Sequence, residues 1–246
     1  MSKMSKKLTV LAIGAHPDDP EIYCGGTLAK YSARGHKVFM AYVTDGTAGG
    51  DTSDPQGLVE IRKKEGLAAA KVIGAELIWI GLPDAELINN LENRIKIIGA
   101  IRQAQPDLII THTPYDQNCD HRITSQLVND ANLHASGYKI KTKHKRTPII
   151  CPIYYMEPYA GVGFNPSEYV DITDIFNLKM EMFLQHKSQV TFLKKEERER
   201  SGEANFFLDL IEVTARFRGF QSLVKYAEAF EPLIIGQGIR TRRLLS

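Results

Sequence analysis

His16, Asp18 and Asp19 stand together in the run Ala15-His16-Pro17-Asp18-Asp19, and His121 follows Cys119-Asp120 far downstream. His16 and Asp19 are three positions apart, a spacing that in a tight loop aims both side chains at one centre. Asp18, between them, must face another side of the same pocket. Two histidines with one carboxylate form the open ligand set of a catalytic zinc, which leaves a position for water; a nitrogen-and-oxygen set without thiolate also admits other divalent ions. The chemistry on offer is metal-assisted hydrolysis, provided that the fold brings His16 and His121 together.

The elements that must do so can be read from apolar runs and their punctuation. Leu8 to Ala15 reads as a first strand; Lys3, Lys6 and Lys7 before it resemble the start of a signal peptide, but the apolar run ends directly in the polar residues it would have to position. A helix from about Gly26 to Ala33, a strand from Lys37 to Thr44, a glycine-rich loop from Gly46 to Gly57 that is a candidate lid, and a helix from Leu58 to Ile73 follow. Then come a strand at Ala75 to Ile80, a helix from Asn90 to Gln105, a strand at Asp107 to Thr111, and a helix beyond His121 to about Ala135. Further strands are read at Ile149 to Tyr155 and Tyr169 to Ile172, with helices running to Gln189 and from Ala204 to Phe217. Strands alternating with helices predict an α/β fold, a Rossmann-like, doubly wound and mostly parallel sheet formed by residues 1–246 as a single domain. In a 3-2-1-4-5 strand order, strands one and four are neighbours at the switch point where ligands bind, so a metal site is expected at their C-terminal ends, with His16 after one and His121 in the loop after the other.

Composition narrows the partners. The 246 residues carry 31 Lys plus Arg against 29 Asp plus Glu, a formal charge of +2, so no one-sign field exists to neutralise a nucleic-acid backbone or hold an anionic membrane. No apolar stretch approaches the roughly 20 residues of a membrane span. The cysteines Cys24, Cys119 and Cys151 are odd in number and unpaired in spacing, which suits a reducing, cytoplasmic location. Assembly into a homo-oligomer is left open by the sequence.

The segment from Ala15 to Ala29, AHPDDPEIYCGGTLA, closely resembles the first motif of the LmbE-like, or PIG-L, N-deacetylase family. Later blocks also match in order: Ile61 to Glu65, Gly81 to Asp84, Thr111 to Pro114, Cys119 to Arg122, and further stretches around Ala160, Tyr169, His186 and Ala227. The resemblance implies a zinc-dependent amidase that removes acetyl or other acyl groups from an amino sugar or its conjugate. It maps the metal ligands onto His16, Asp19 and His121, the general base onto Asp18, and sugar or aglycone contacts onto Arg62 and Asp84. Asp120 is expected to orient His121 through its second ring nitrogen, as outer carboxylates do. Many relatives carry a histidine three residues before the last ligand, credited with stabilising an oxyanion or protonating the leaving amine; here that residue is Asn118, which can donate a hydrogen bond but not deliver a proton at neutral pH. Pro20 and Tyr23 depart from the acidic residue and the glycine common at their positions. Asn118 also keeps a second reading open, a catalytically degenerate member that binds a sugar conjugate or metal without turnover. A nucleotide-binding protein is disfavoured, because neither G-x-G-x-x-G nor G-K-[ST] occurs.

Overall fold

The computed structural model describes residues 7–50, 53–202 and 205–234; Lys3 and Lys6 lie outside the described residues, as do positions 51 and 52 of the Gly46–Gly57 loop. The chain alternates β1 (Thr9–Gly14), α1 (Asp19–Ala33), β2 (Lys37–Thr44), α2 (Pro55–Val72), β3 (Glu76–Leu82), α3 (Leu91–Ala104), β4 (Leu108–His112), α4 (Cys119–Ala135) and β5 (Ile153–Met156). It continues through β6 (Glu168–Asp171), α5 (Phe176–Phe183), α6 (Lys187–Ser201), α7 (Phe206–Gln221) and β7 (Ala227–Pro232). The sheet order is β3-β2-β1-β4-β5-β7-β6. Pairings from β3 through β5 are parallel, and β7 runs antiparallel to both β5 and β6.

The period of two along each central strand divides the core. On β1, Val10 and Ala12 face one cluster with Cys24 and Leu28 of α1, while Leu11 and Ile13 face another with Ile97 and Ile101 of α3 and Leu127 of α4. Both faces are covered, which is why these strands read as continuous apolar runs. Along β4, His112 has the parity of Leu108 and Ile110, which belong to the α1 side.

Three elements differ from the sequence reading. First, α1 begins at Asp19, not near Gly26, and Gly25 and Gly26 lie inside it. A side chain at Gly26 would put its Cβ 2.7 Å from Ile172 Cγ2, so the glycine is there for close packing and not to start the helix. Glu228 accepts hydrogen bonds from Gly26 N (2.9 Å) and Thr27 N (2.7 Å), and Lys179 Nζ donates to Ile22 O at 2.6 Å. The two side chains also pair with each other, each 3% exposed. An ion pair thus occupies the middle of α1's hydrogen-bond ladder and clamps the helix to α5 and β7. Second, the helix expected to reach Gln189 breaks between α5 and α6, where His186 is buried and its Nε2 meets Glu21 Oε1 at 2.9 Å. Third, β7 escaped the sequence reading because its inward Glu228 breaks the apolar pattern of a buried strand.

The clamp gives a stability prediction. Glu228→Ala leaves a buried ammonium without its counter-charge and two backbone N–H groups without their carboxylate acceptor, so it is expected to cost about 3–5 kcal/mol. Urea denaturation measures this. The double change Lys179→Met with Glu228→Leu should cost less, and an unshifted midpoint in Glu228→Ala would show the clamp to be dispensable.

Candidate active site

β1 ends at Gly14, where any Cβ would lie 2.6 Å from Asp19 Cβ, so the chain can fold back tightly only with glycine there. The returning loop is closed by Asp19 Oδ2, which accepts from His16 N at 2.6 Å. Across the β1/β4 switch point, His121 sits in the first turn of α4 and not in the preceding loop. His16 Nδ1 lies 3.2 Å from His121 Nε2 and 3.3 Å from Asp19 Oδ2, and His121 Nε2 lies 3.4 Å from Asp19 Oδ1. A tetrahedral ion with bonds of about 2.0–2.2 Å has ligand atoms roughly 3.3–3.6 Å apart, so the three donors fit one divalent ion.

Each candidate ligand is held from behind. His121 Nδ1 meets Asp116 Oδ2 at 2.9 Å, and His16 Nε2 faces Asp84 Oδ1 at 3.2 Å and Asp120 Oδ2 at 3.5 Å. His112 stacks on His121 with ring centroids 3.8 Å apart, and its Nε2 is 3.0 Å from both Asp19 Oδ2 and Ala15 N. A single ring nitrogen can donate to the first or accept from the second, not both at once.

The charges are one-sided. Burial works to lower His121, but the charge of Asp19 and the hydrogen bond to Asp116 carry it up to about 9. His16 is likewise raised well above its ordinary value, against burial, by Asp19 together with Asp120 and Asp84. Burial pushes His112 down to about 4 and keeps it neutral. Imidazoles that hold protons this firmly mark an excess of carboxylate, which a divalent cation can discharge.

Asp18 stands apart from this lattice. It caps α1 with φ 133°, outside the conformations L residues ordinarily adopt, and contributes no side-chain cap bond. Its side chain lines the cavity above the candidate metal site, is 6% exposed, and has no hydrogen-bond partner among the described residues. Burial, then the neighbouring Asp19 charge, pushes its carboxyl up to about 7. Strain of this kind persists where surrounding structure over-determines it and clusters at functional sites. The cavity above these groups has a volume of about 400 Å³, with Ala48 and Gly49 on one wall and Tyr159, Leu193 and Phe207 on another.

The sequence profile described as PIG-L, GlcNAc-PI de-N-acetylase, matches residues 11–132. The chain is 29% identical over 192 residues to diacetylchitobiose deacetylase of Thermococcus kodakarensis, covering 73% of this chain and 69% of that one. It is 30% identical over 191 residues to mycothiol S-conjugate amidase of Streptomyces coelicolor, covering 66% and 63%. Its fold superposes on the N,N'-diacetylchitobiose deacetylase of Pyrococcus horikoshii with a TM-score of 0.77 at 27% identity, over 91% of this chain and 83% of that chain. The chain belongs to the LmbE-like, PIG-L family of deacetylases.

Within this PIG-L chain the geometry changes three expected partners. Asp120 does not reach the second nitrogen of His121; Asp116 does, and Asp120 faces His16 and accepts from Ala85 N at 2.8 Å. Asp84 borders the cavity, but its carboxylate meets His16 and accepts from Ala48 N (2.9 Å) and Ala85 N (3.0 Å), so it is spent on the ligand and on the wall loop rather than left for a substrate hydroxyl. Arg62 is 3% exposed and donates to Gly49 O at 2.6 Å and to Gln189, tying the candidate lid to α6. The described part of that loop is therefore anchored, and includes a 3-10 turn at Thr47–Gly49. Asn118 is the N-cap of α4, its Oδ1 accepting from Asp120 N at 2.8 Å. That bond fixes the amide oxygen and leaves Nδ2 with no partner among the described residues; Asn118, itself exposed, is among the residues that line the cavity.

Two residues of this lattice were missed by sequence reasoning. Asp116 gave no spacing signal, since a loop residue five positions before a helical His meets it only through the turn that Asp116 Oδ1 makes with Asn118 N at 2.8 Å. His112, which the sequence offers only within the Thr111–Pro114 match, is pointed toward α1 and Asp19 by its parity on β4.

Proposed function

We propose that this protein is a divalent-metal-dependent N-deacetylase, zinc being the first candidate, which acts in the cytoplasm as a single domain on an N-acyl amino sugar or its conjugate. The observation that carries the reading is the triangle of His16 Nδ1, Asp19 and His121 Nε2 at the floor of a cavity, with the unpartnered Asp18 carboxylate on its wall. Its volume of about 400 Å³ lies in the range of small-molecule sites. Among the described residues no helix is long and apolar enough to cross a membrane.

An ion held by those three ligands supplies a Lewis acid for the amide carbonyl and lowers the pKa of water. The chain's own residues do the rest. Asp18 accepts the proton of the attacking water and returns it to the nitrogen as the C–N bond breaks, since Asn118 has no proton to give. Asn118 Nδ2 donates to the carbonyl oxygen as it gains charge. Asp116 and Asp84 hold the two imidazoles in register, as outer carboxylates do in metal sites.

The test is metal analysis of the purified protein alongside acetate and amine release from N-acetylglucosamine and N,N'-diacetylchitobiose. Acetate and amine in equal amounts, with metal bound, are expected. Metal with no release from either would shift the reading to a binding member of the family, which Asn118 alone favours.

Asn118 also gives a separable prediction. Asn118→Ala removes cap and donor together and should lower kcat by about 10²–10³ and stability by about 1 kcal/mol, with metal content unchanged. Asn118→Ser retains a capping oxygen but not the long amide, so it should recover the stability and not the rate. An unaltered kcat in Asn118→Ala would remove the residue from the mechanism.

A further inference from the structure

Tyr23 lies one helical turn beyond Asp19 on α1, so the two side chains share a face. Its ring stands edge-on to His121 with centroids 5.9 Å apart and to His112 at 5.8 Å. It borders two spaces at once: the metal cavity, and a smaller apolar chamber behind it that reaches Ile211 and Ala215. Tyr23 is half-buried at the junction of these two spaces, and a tyrosine so placed usually presents its hydroxyl to a partner or to the open space beside it. This one has none among the described residues, although the charges bearing most on the phenol are those of Asp19, Asp116 and Asp18. It is a donor standing over the ligand cluster and bonded to no part of it.

Resting on the hydrolase reading above, we propose that the Tyr23 hydroxyl donates a hydrogen bond to the substrate's amide oxygen as that oxygen becomes an oxyanion, making Tyr23 a catalytic residue. Asn118 Nδ2 approaches from the α4 side of the same cavity and Tyr23 from the α1 side, so the two form a pair of neutral donors around one developing charge. The accounting is simple. Tyr23 keeps its proton throughout. One proton of the attacking water passes to Asp18 and then to nitrogen, the C–N bond breaks, and the acid product leaves with the oxygen of the water, its remaining proton passing to the released amine to give carboxylate and ammonium. A neutral donor suits this place, because a cationic one would compete with the metal for the surrounding carboxylates, whereas a phenol adds no charge.

The other role open to Tyr23 is packing, its ring serving only to wall the metal cavity off from the chamber behind. Tyr23→Phe separates the two, since it preserves the ring against His121 and His112 and deletes only the hydroxyl. Three readouts on the metal-loaded full chain decide: kcat and KM on N-acetylglucosamine, Kd for the methylphosphonamide of glucosamine as a tetrahedral mimic, and Kd for glucosamine. The proposal expects kcat to fall about 10²-fold with KM within a factor of two. It further expects affinity for the phosphonamide to fall by at least tenfold while that for glucosamine and the metal content hold. Unchanged kcat and unchanged phosphonamide affinity in Tyr23→Phe, against an active wild type, would overturn the role of Tyr23 alone. A wild type that releases no acetate and binds neither probe would overturn the hydrolase reading and this role with it.

Discussion

Asp18→Asn is expected to keep its metal and its fold while losing about 10²–10⁴ in kcat, the usual worth of a general base. The carboxylate is buried, lines the metal cavity, and makes no hydrogen bond to any described residue, so the amide replaces it without breaking a contact. The backbone at φ 133° is tolerated by asparagine at least as well as by aspartate. Removing a charge from beside Asp19 also relieves repulsion that folding must otherwise overcome, which separates this variant from an ordinary loss of function: activity should fall while thermal stability holds or rises. The measurement is kcat together with bound metal and the melting midpoint. Near wild-type turnover would show that the proton of the attacking water goes elsewhere, with His186, buried behind Asp18 on Glu21, the next group to examine.

Much of this geometry was legible before any coordinates. Alternating strands and helices predict a parallel doubly wound sheet, and in the order β3-β2-β1-β4-β5, which the structure shows, His16 and His121 meet at the β1/β4 switch point. The ligand triad follows from that topology and one three-residue spacing. What stayed hidden lies where contacts are made by loops or by charges inside the core. The sequence points to Asp120, the neighbour of His121, as its partner, and only the turn that brings Asp116 back over α4 gives that place to Asp116 instead. Gly25-Gly26 looks like a helix start until Ile172, Lys179 and Glu228 arrive from distant parts of the chain to use the space and to bond the buried backbone there. Arg62 is expected as a substrate contact from the family resemblance alone; here it borders the cavity, but burial beneath the wall loop gives its guanidinium backbone and glutamine acceptors.

His121→Ala is expected to abolish metal retention and with it activity, while the sheet and both faces of the core remain. Of the three edges of the donor triangle, two end on His121 Nε2, and Asp19 with His16 cannot close a site alone. The fold does not depend on the ion: the clusters flanking β1 and β4 are buried apolar residues that the substitution does not touch. Asp116→Ala offers the graded comparison. It leaves the ligand in place but frees the ring to turn, so metal affinity should fall about 10–100-fold instead of vanishing. Proton counting adds an independent readout. His121 is held up to about 9 and His16 well above its ordinary value by the carboxylates around them, burial notwithstanding, so at neutral pH the metal-free site carries protons that the ion must displace. Metal binding at pH 7 should therefore release protons into a weakly buffered solution and weaken as pH falls, and the release should shrink in His121→Ala. Full metal content in that variant, or metal uptake by the wild type with no proton release, would place the ion on a different ligand set, for which the overlapping His16, Asp84 and Asp120 cluster is the neighbouring alternative.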